Sequence, residues 1–163
     1  MEVMQWKIQK NIMNKIIIDT SVLLAIVDKK DKWNSMAEVI FDKLEEMNIE
    51  FYIFDCVANE LISVIGKRLI EAKREREYPE VVKKSLEYIK LEKLFPVYDL
   101  VIPKYNEIID TIIKSNGELN FHDSLIIIAA REYDMKYIAS FDEDFDEVEG
   151  LVRIKSKNSL GVL

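Results

Sequence analysis

Short apolar runs alternate along the chain with longer stretches in which apolar residues recur at helical spacing. Residues 15–19, KIIID, form an apolar run closed by an acid and followed by Thr20 and Ser21, the pattern of a buried strand handing over to a turn. Ser21 or Thr20 can cap a helix whose buried side is Val22, Leu23, Leu24, Ile26 and Val27. A second helix is predicted from Ser35 to Met47, where Met36, Val39, Ile40, Leu44 and Met47 recur at helical spacing. FYIF at 51–54 reads as the next buried strand, with Asp55 as N-cap of a helix running to about Glu77. Pro79 breaks or restarts that helix, and a further one is predicted from about Val81 to Leu94. FPVYDL, residues 95–100, is a weak third strand, and Pro103 opens a helix over 103–115 that Asn116 and Gly117 end. Residues 121–133 read as a helix with an almost wholly apolar body, while YIAS at 137–140 and LVRI at 151–154 supply the last strands.

Strands that alternate with helices through short turns predict an α/β fold, with a central parallel sheet of about four or five strands and helices on both faces. A length of 163 residues suits one such domain and not two. With 49% apolar and 33% charged residues, the chain has the balance of a folded protein with a real core. Apolar runs such as Leu125 to Ala130 fall far short of the roughly 20 residues that a membrane span needs. The segment MEVMQWKIQKNIM lacks the apolar stretch and the cleavage site of a signal peptide, so a cytoplasmic protein is expected. Cys56 stands alone and can form neither an internal disulfide nor a cysteine cage for a metal; it reads as a small buried hydrophobe.

The candidate chemistry lies in the acids. In an open parallel sheet, ligands bind beyond the carboxyl ends of the strands, near the point where strand order reverses. Asp19 closes the first strand and Asp142 lies just past YIAS. Glu60 falls on the first turns of the helix after FYIF, and Asp123 at the start of the apolar helix, so all four can converge on one crevice. Carboxylates suit hard divalent ions such as Mg²⁺ and Mn²⁺. Without such an ion the cluster is costly, since like charges about 4 Å apart repel by roughly 4 kcal/mol at an effective dielectric near 20. A divalent ion held there would support in-line displacement at phosphorus without a protein nucleophile. The formal charge of −7 argues against broad attraction to nucleic acid, an objection that weakens if bound cations neutralise grouped carboxylates. His122 is the only histidine, which excludes a histidine-pair ribonuclease and disfavours zinc. The four glycines, at 66, 117, 150 and 161, form no phosphate-binding loop.

The successive segments IIIDTSVLLAIV, ANELISV, NFHDSLIIIAA and IASFDEDFDEVEGLVRI resemble the motifs of PIN domains, especially VapC-type toxins, from about Lys15 to Ile154. The resemblance implies that Asp19, Glu60, Asp123 and Asp142 bind Mg²⁺ or Mn²⁺ and support cleavage of RNA, with Asp144 as an accessory acid. Thr20, Ser21 and Ser140 match hydroxyl positions of the family, although capping explains the first two almost equally well. It further implies an antitoxin protein as partner and a homodimer formed through the 56–94 helical region. MNKIIIDTS resembles a usual start of the family, which divides the chain into an extension at 1–12 and a PIN-like nuclease domain at 13–163.

Other residues have plainer readings. His122 borders Asp123 but fits a partly buried structural histidine. KRLIEAKRERE, residues 67–77, reads as a solvated helix face more readily than as an RNA clamp. Asp146, Glu147 and Glu149 are expected in an exposed turn without a role, and Phe121, Phe141 and Phe145 in packing. The competing functions are a PIN-like RNA- or protein-binding module that does not cut, and an aspartyl-nucleophile phosphatase. The second would want an acid where Ser21 stands.

Overall fold

A computed structural model describes residues 15–163, so the extension expected at 1–12 lies outside the described residues. Among the described residues five strands form the sheet: β1 (Ile16–Ile18), β2 (Phe51–Phe54), β3 (Leu94–Phe95), β4 (Tyr137–Ala139) and β5 (Val152–Ile154). All pairings are parallel, in the order β3-β2-β1-β4-β5. β1 therefore sits at the centre, and strand order reverses between it and β4. Its residues Ile16, Ile17 and Ile18 are wholly buried. Because successive strand side chains point to opposite faces, three consecutive buried residues mean that both faces of the sheet are covered.

Among the described residues six helices provide the cover: α1 (Thr20–Val27), α2 (Asn34–Glu46), α3 (Asp55–Glu71), α4 (Tyr78–Tyr88), α5 (Tyr105–Lys114) and α6 (Phe121–Glu132). α1 packs against α2, α3 and α4, while α5 packs against α6. The LIIIAA body of α6 is buried throughout, as its composition demands. Cys56 is buried as expected, and burial pushes its thiol pKa far up. No helix among the described residues is long and apolar enough to cross a membrane.

The middle of the chain departs from the predicted elements for identifiable reasons. Asp55 does not cap α3 but is its first residue, after Phe54 at the cap position. Its Oδ1 accepts the backbone N–H of Val97 at 3.0 Å and of Tyr98 at 3.3 Å. Those donors are thereby taken from any sheet ladder, and Pro96 has none to offer, so β3 stops at Phe95 and Tyr98–Leu100 becomes a helical turn. α3 ends at Glu71 instead of about Glu77, through Lys73 at φ +56°. α4 ends at Tyr88 instead of Leu94, with Pro79 accommodated in its first turn. α5 begins at Tyr105, two residues past Pro103; Asn116 and Gly117, both at positive φ, follow its end.

One buried hydroxyl is left over. Ser124 Oγ has no hydrogen-bond partner among the described residues, and its residue is wholly buried. Burying an unpaired hydroxyl costs about 1–3 kcal/mol, and alanine is the better helix former. Ser124→Ala is therefore expected to raise the urea midpoint by an amount equivalent to about 1 kcal/mol at unchanged m-value. A lower midpoint would mean that the hydroxyl has a partner.

Candidate metal centre

The candidate site lies where strand order reverses, at the carboxyl ends of β1 and β4. Ile18 pairs with Ala139 in the ladder, and Asp19 N–H extends it by donating to Ala139 O at 3.0 Å. Asp19 and Ser140 thus emerge side by side although 121 residues separate them. Asp19, and neither Thr20 nor Ser21, is the N-cap of α1. The cap reading and the site reading of this acid therefore hold together.

Two serines lock the Asp19 carboxylate. Its Oδ2 accepts Ser21 Oγ–H at 2.7 Å and Ser140 Oγ–H at 2.8 Å. Each serine also takes a backbone donor from the segment after β4: Phe141 N–H to Ser21 Oγ at 3.0 Å, and Asp142 N–H to Ser140 Oγ at 2.9 Å. The three hydroxyl positions identified in the sequence are all engaged, since Thr20 Oγ1 donates to Glu60 Oε2 at 2.9 Å. Asp19 is nearly inaccessible, and desolvation raises its pKa against the lowering effect of the serine hydrogen bonds.

Asp123 enters from the first turn of α6. Its backbone N–H donates to Asn120 Oδ1 and its Oδ2 accepts Asn120 N–H, each at 3.0 Å, a reciprocal capping box. The Asp123 pKa is pushed up to about 6, first by desolvation and then by the charges of Asp19, Asp142 and Glu60. The other three acids therefore act on Asp123 through their charge. Asp142 caps the helical turn 143–145 by accepting Asp144 N–H at 3.0 Å. Asp144 is exposed at the edge; desolvation raises its pKa, followed by the charges of Asp142, Glu118 and Glu143.

Among the described residues no lysine or arginine forms an ion pair with Asp19, Glu60, Asp123 or Asp142; the nearest cationic candidate is His122 Nδ1, 4.0 Å from Glu60. Nor do three acidic, histidine or cysteine side chains among the described residues draw close enough to enclose an ion between them. Mg²⁺ is commonly held by only one or two carboxylates and keeps several waters. A cluster of oxygen donors without a protein counter-charge fits such an ion in its chemistry.

Several neighbours of the site carry no signal in the sequence. Asn59 Nδ2 donates to Tyr98 Oη at 3.2 Å, and Tyr98 Oη lies 3.4 Å from His122 Nε2, while the other ring nitrogen stands 4.0 Å from Glu60. On the other side, Arg153 is buried on β5 and its guanidinium grips Asp146 through Nε to Oδ1 at 2.7 Å and through a second contact from Nη2 to Oδ2. Nη1 reaches Ser140 O at 3.4 Å. Asp146, expected to have no role, is thus the counter-ion of a buried arginine. The basic segment is not a purely solvated face either. Arg74 holds Asp28 at 2.9 Å and Glu77 at 2.7 Å, and together with Lys30 it holds the Glu77 pKa down to about 2. Phe145 belongs to the hydrophobic core, as expected, and Phe121 and Phe141 are partly buried residues packed against that core.

Comparison with known proteins places this geometry. The family model for the PIN domain matches residues 16–151. A comparison with curated proteins finds no match. Among solved structures, that of Mycobacterium tuberculosis VapC20, described as a toxin cleaving the sarcin–ricin loop, is similar with a TM-score of 0.63 and 15% identity, over 82% of this chain and 95% of the other. Rickettsia felis VapBC2, solved bound to a DNA fragment from its promoter, gives a TM-score of 0.63 at 13% identity, over 88% and 99%. Neisseria gonorrhoeae FitAcB gives 0.60 at 18% identity, over 86% and 96%. At such identities these likenesses establish the fold.

Proposed function

This chain belongs to the PIN-domain family, and we propose that it is a divalent-metal-dependent endoribonuclease that hydrolyses RNA phosphodiester bonds. The observation that carries the reading is geometric: Asp19 and Asp142 follow β1 and β4 at the reversal of strand order and are joined through Ser140, while Thr20, next to Asp19, holds Glu60. The resemblance of the fold to VapC20, whose described activity is cleavage of the sarcin–ricin loop, points to the same class of chemistry. By that likeness the protein acts as the toxin of a toxin–antitoxin pair in the cytoplasm, with an antitoxin as partner and a homodimer formed through the α3–α4 region.

Asp19, Glu60, Asp123 and Asp142 would hold Mg²⁺ or Mn²⁺, with Asp144 as an outer acid. Such an ion supplies Lewis acidity toward a phosphoryl oxygen and lowers the pKa of an attacking water. The protein's part is positioning: Ser21 and Ser140 fix the Asp19 carboxylate, Thr20 orients Glu60, and the capping box orients Asp123.

The test is cleavage of a mixed-sequence single-stranded RNA by the full chain with Mn²⁺ or Mg²⁺. Cleavage is expected with either ion, is lost in EDTA and returns on adding excess metal. Cleavage that persists in EDTA, or a folded protein that cuts nothing with either ion, overturns the reading. The second outcome would leave a non-cleaving binding module.

A further inference from the structure

Beside the acid cluster lies an open groove of about 910 Å³ whose lining includes Ser21, Asp142, Trp33, Phe141, Lys30 and Arg68. Trp33 stands at the N-cap of α2, 43% exposed, and stacks on Phe141 with ring centroids 5.1 Å apart and planes 17° from parallel. The indole is not needed for the cap, which makes no side-chain hydrogen bond; its backbone oxygen receives Ala37 N–H at 2.9 Å. A large aromatic ring is therefore held at the surface, and Phe141 beneath it is tied by its own N–H to Ser21, the hydroxyl that fixes Asp19.

Resting on the ribonuclease reading above, we infer that the Trp33–Phe141 stack is a nucleobase platform that seats one base of single-stranded RNA next to the scissile phosphate. The charges favour stacking over a purely electrostatic grip. The chain is acidic, and the groove's cations are largely committed: Arg68 to Asp31 at 2.8 Å, Lys30 to Glu77 at 2.9 Å, and Arg74 to Asp28 and Glu77. A groove whose own cations are mostly paired with acids gains little from phosphate contacts alone, whereas base–aromatic stacking tolerates any sequence and needs no net charge. Lys32 Nζ lies 5.3 Å from the Trp33 ring centroid. A cation–π contact at an exposed site is weak, so an arriving base displaces this ammonium, which can then meet the adjoining phosphate.

The experiment has two arms on the full chain. In the first, Mn²⁺-dependent cleavage of single-stranded RNA is compared for wild type, Trp33→Ala and Trp33→Phe. Loss of the stack is expected to raise KM about tenfold with kcat little changed, and phenylalanine should recover much of the loss. In the second, Trp6→Phe leaves Trp33 as the only tryptophan, and Asp123→Asn with EDTA prevents cleavage. A short single-stranded RNA is expected to quench Trp33 fluorescence, and the same sugar–phosphate chain without bases is not. A wild-type KM in Trp33→Ala, or equal quenching by the abasic chain, overturns the platform; no quenching by either oligonucleotide does so too and leaves this face to a protein partner. Absence of cleavage in the wild type would defeat the nuclease reading, while base-dependent quenching would still support the platform.

Discussion

Asp123→Asn is expected to lower RNA cleavage by at least about a hundredfold and, in the presence of chelator, to raise the melting temperature by a few degrees. The first effect follows from removing a charge that holds the ion; loss of one preorganised electrostatic stabiliser commonly costs about 10²–10³ in rate. The second follows from the apo cluster. A carboxyl whose pKa stands at about 6 in the folded chain against 3.8 ordinarily carries up to roughly 3 kcal/mol of penalty as the anion. Asparagine removes that penalty and can keep the capping box, because its Oδ1 still accepts Asn120 N–H and its own N–H still donates to Asn120.

The sign with pH is fixed by the direction of the shift. Between about pH 4 and pH 6 the folded chain binds more protons at this site than the unfolded chain, so wild-type stability falls as pH rises through that window. The mutant lacks this loss. The gap between the two melts should be small near pH 4, open toward pH 6 and stay open above it. Saturating Mn²⁺ should reverse the order at pH 7.5, since it stabilises the form that binds it better. Melts at four pH values, with EDTA and with Mn²⁺, check the prediction. A mutant that melts well below wild type in EDTA at neutral pH would assign Asp123 a purely structural role.

Asp146→Ala is expected to destabilise the fold by about 2–3 kcal/mol, far more than its surface position suggests. The reason lies in its partner: the Arg153 side chain is 2% exposed, whereas that of Asp146 is 42% exposed. Truncating the aspartate leaves a buried guanidinium whose remaining described acceptor is Ser140 O. Lys155, 3.7 Å from the same carboxylate and half exposed, is the control: Lys155→Ala should change stability by under about 0.5 kcal/mol. The double change Asp146→Ala with Arg153→Met should recover part of the loss, because no unpaired charge is then buried. Urea unfolding of the four proteins decides, and equal midpoints for Asp146→Ala and Lys155→Ala would refute the argument.

The acids could be nominated from the chain alone because each interrupts or borders an apolar segment. An acid directly after III, or three residues into a helix whose body is LIIIAA, must lie where the core meets solvent. Ser140, Thr20 and Ser21 enter the site only through the family resemblance, since nothing in their own spacing marks them. Local pattern fails where a contact between distant segments decides the structure. FPVYDL has strand-like residues, yet Asp55 takes the N–H groups of Val97 and Tyr98 across 42 and 43 residues, so only Leu94–Phe95 pairs. Asp146 reads as an acid of an exposed turn without a role, yet the buried Arg153, seven residues on, takes it as its partner.

By itself, then, the sequence determined the periodic elements, their alternation and hence a parallel α/β sheet, since hydrophobic period and turn chemistry are local properties. It also determined which acids stand at element ends. Only the tertiary structure decided that β1 lies between β2 and β4, which brings Asp19 against Ser140, the acceptor of Asp142 N–H, and that Trp33 stacks on Phe141. Those neighbours are joined by strand order and side-chain packing, which residues far apart in the chain settle among themselves and which no local spacing encodes.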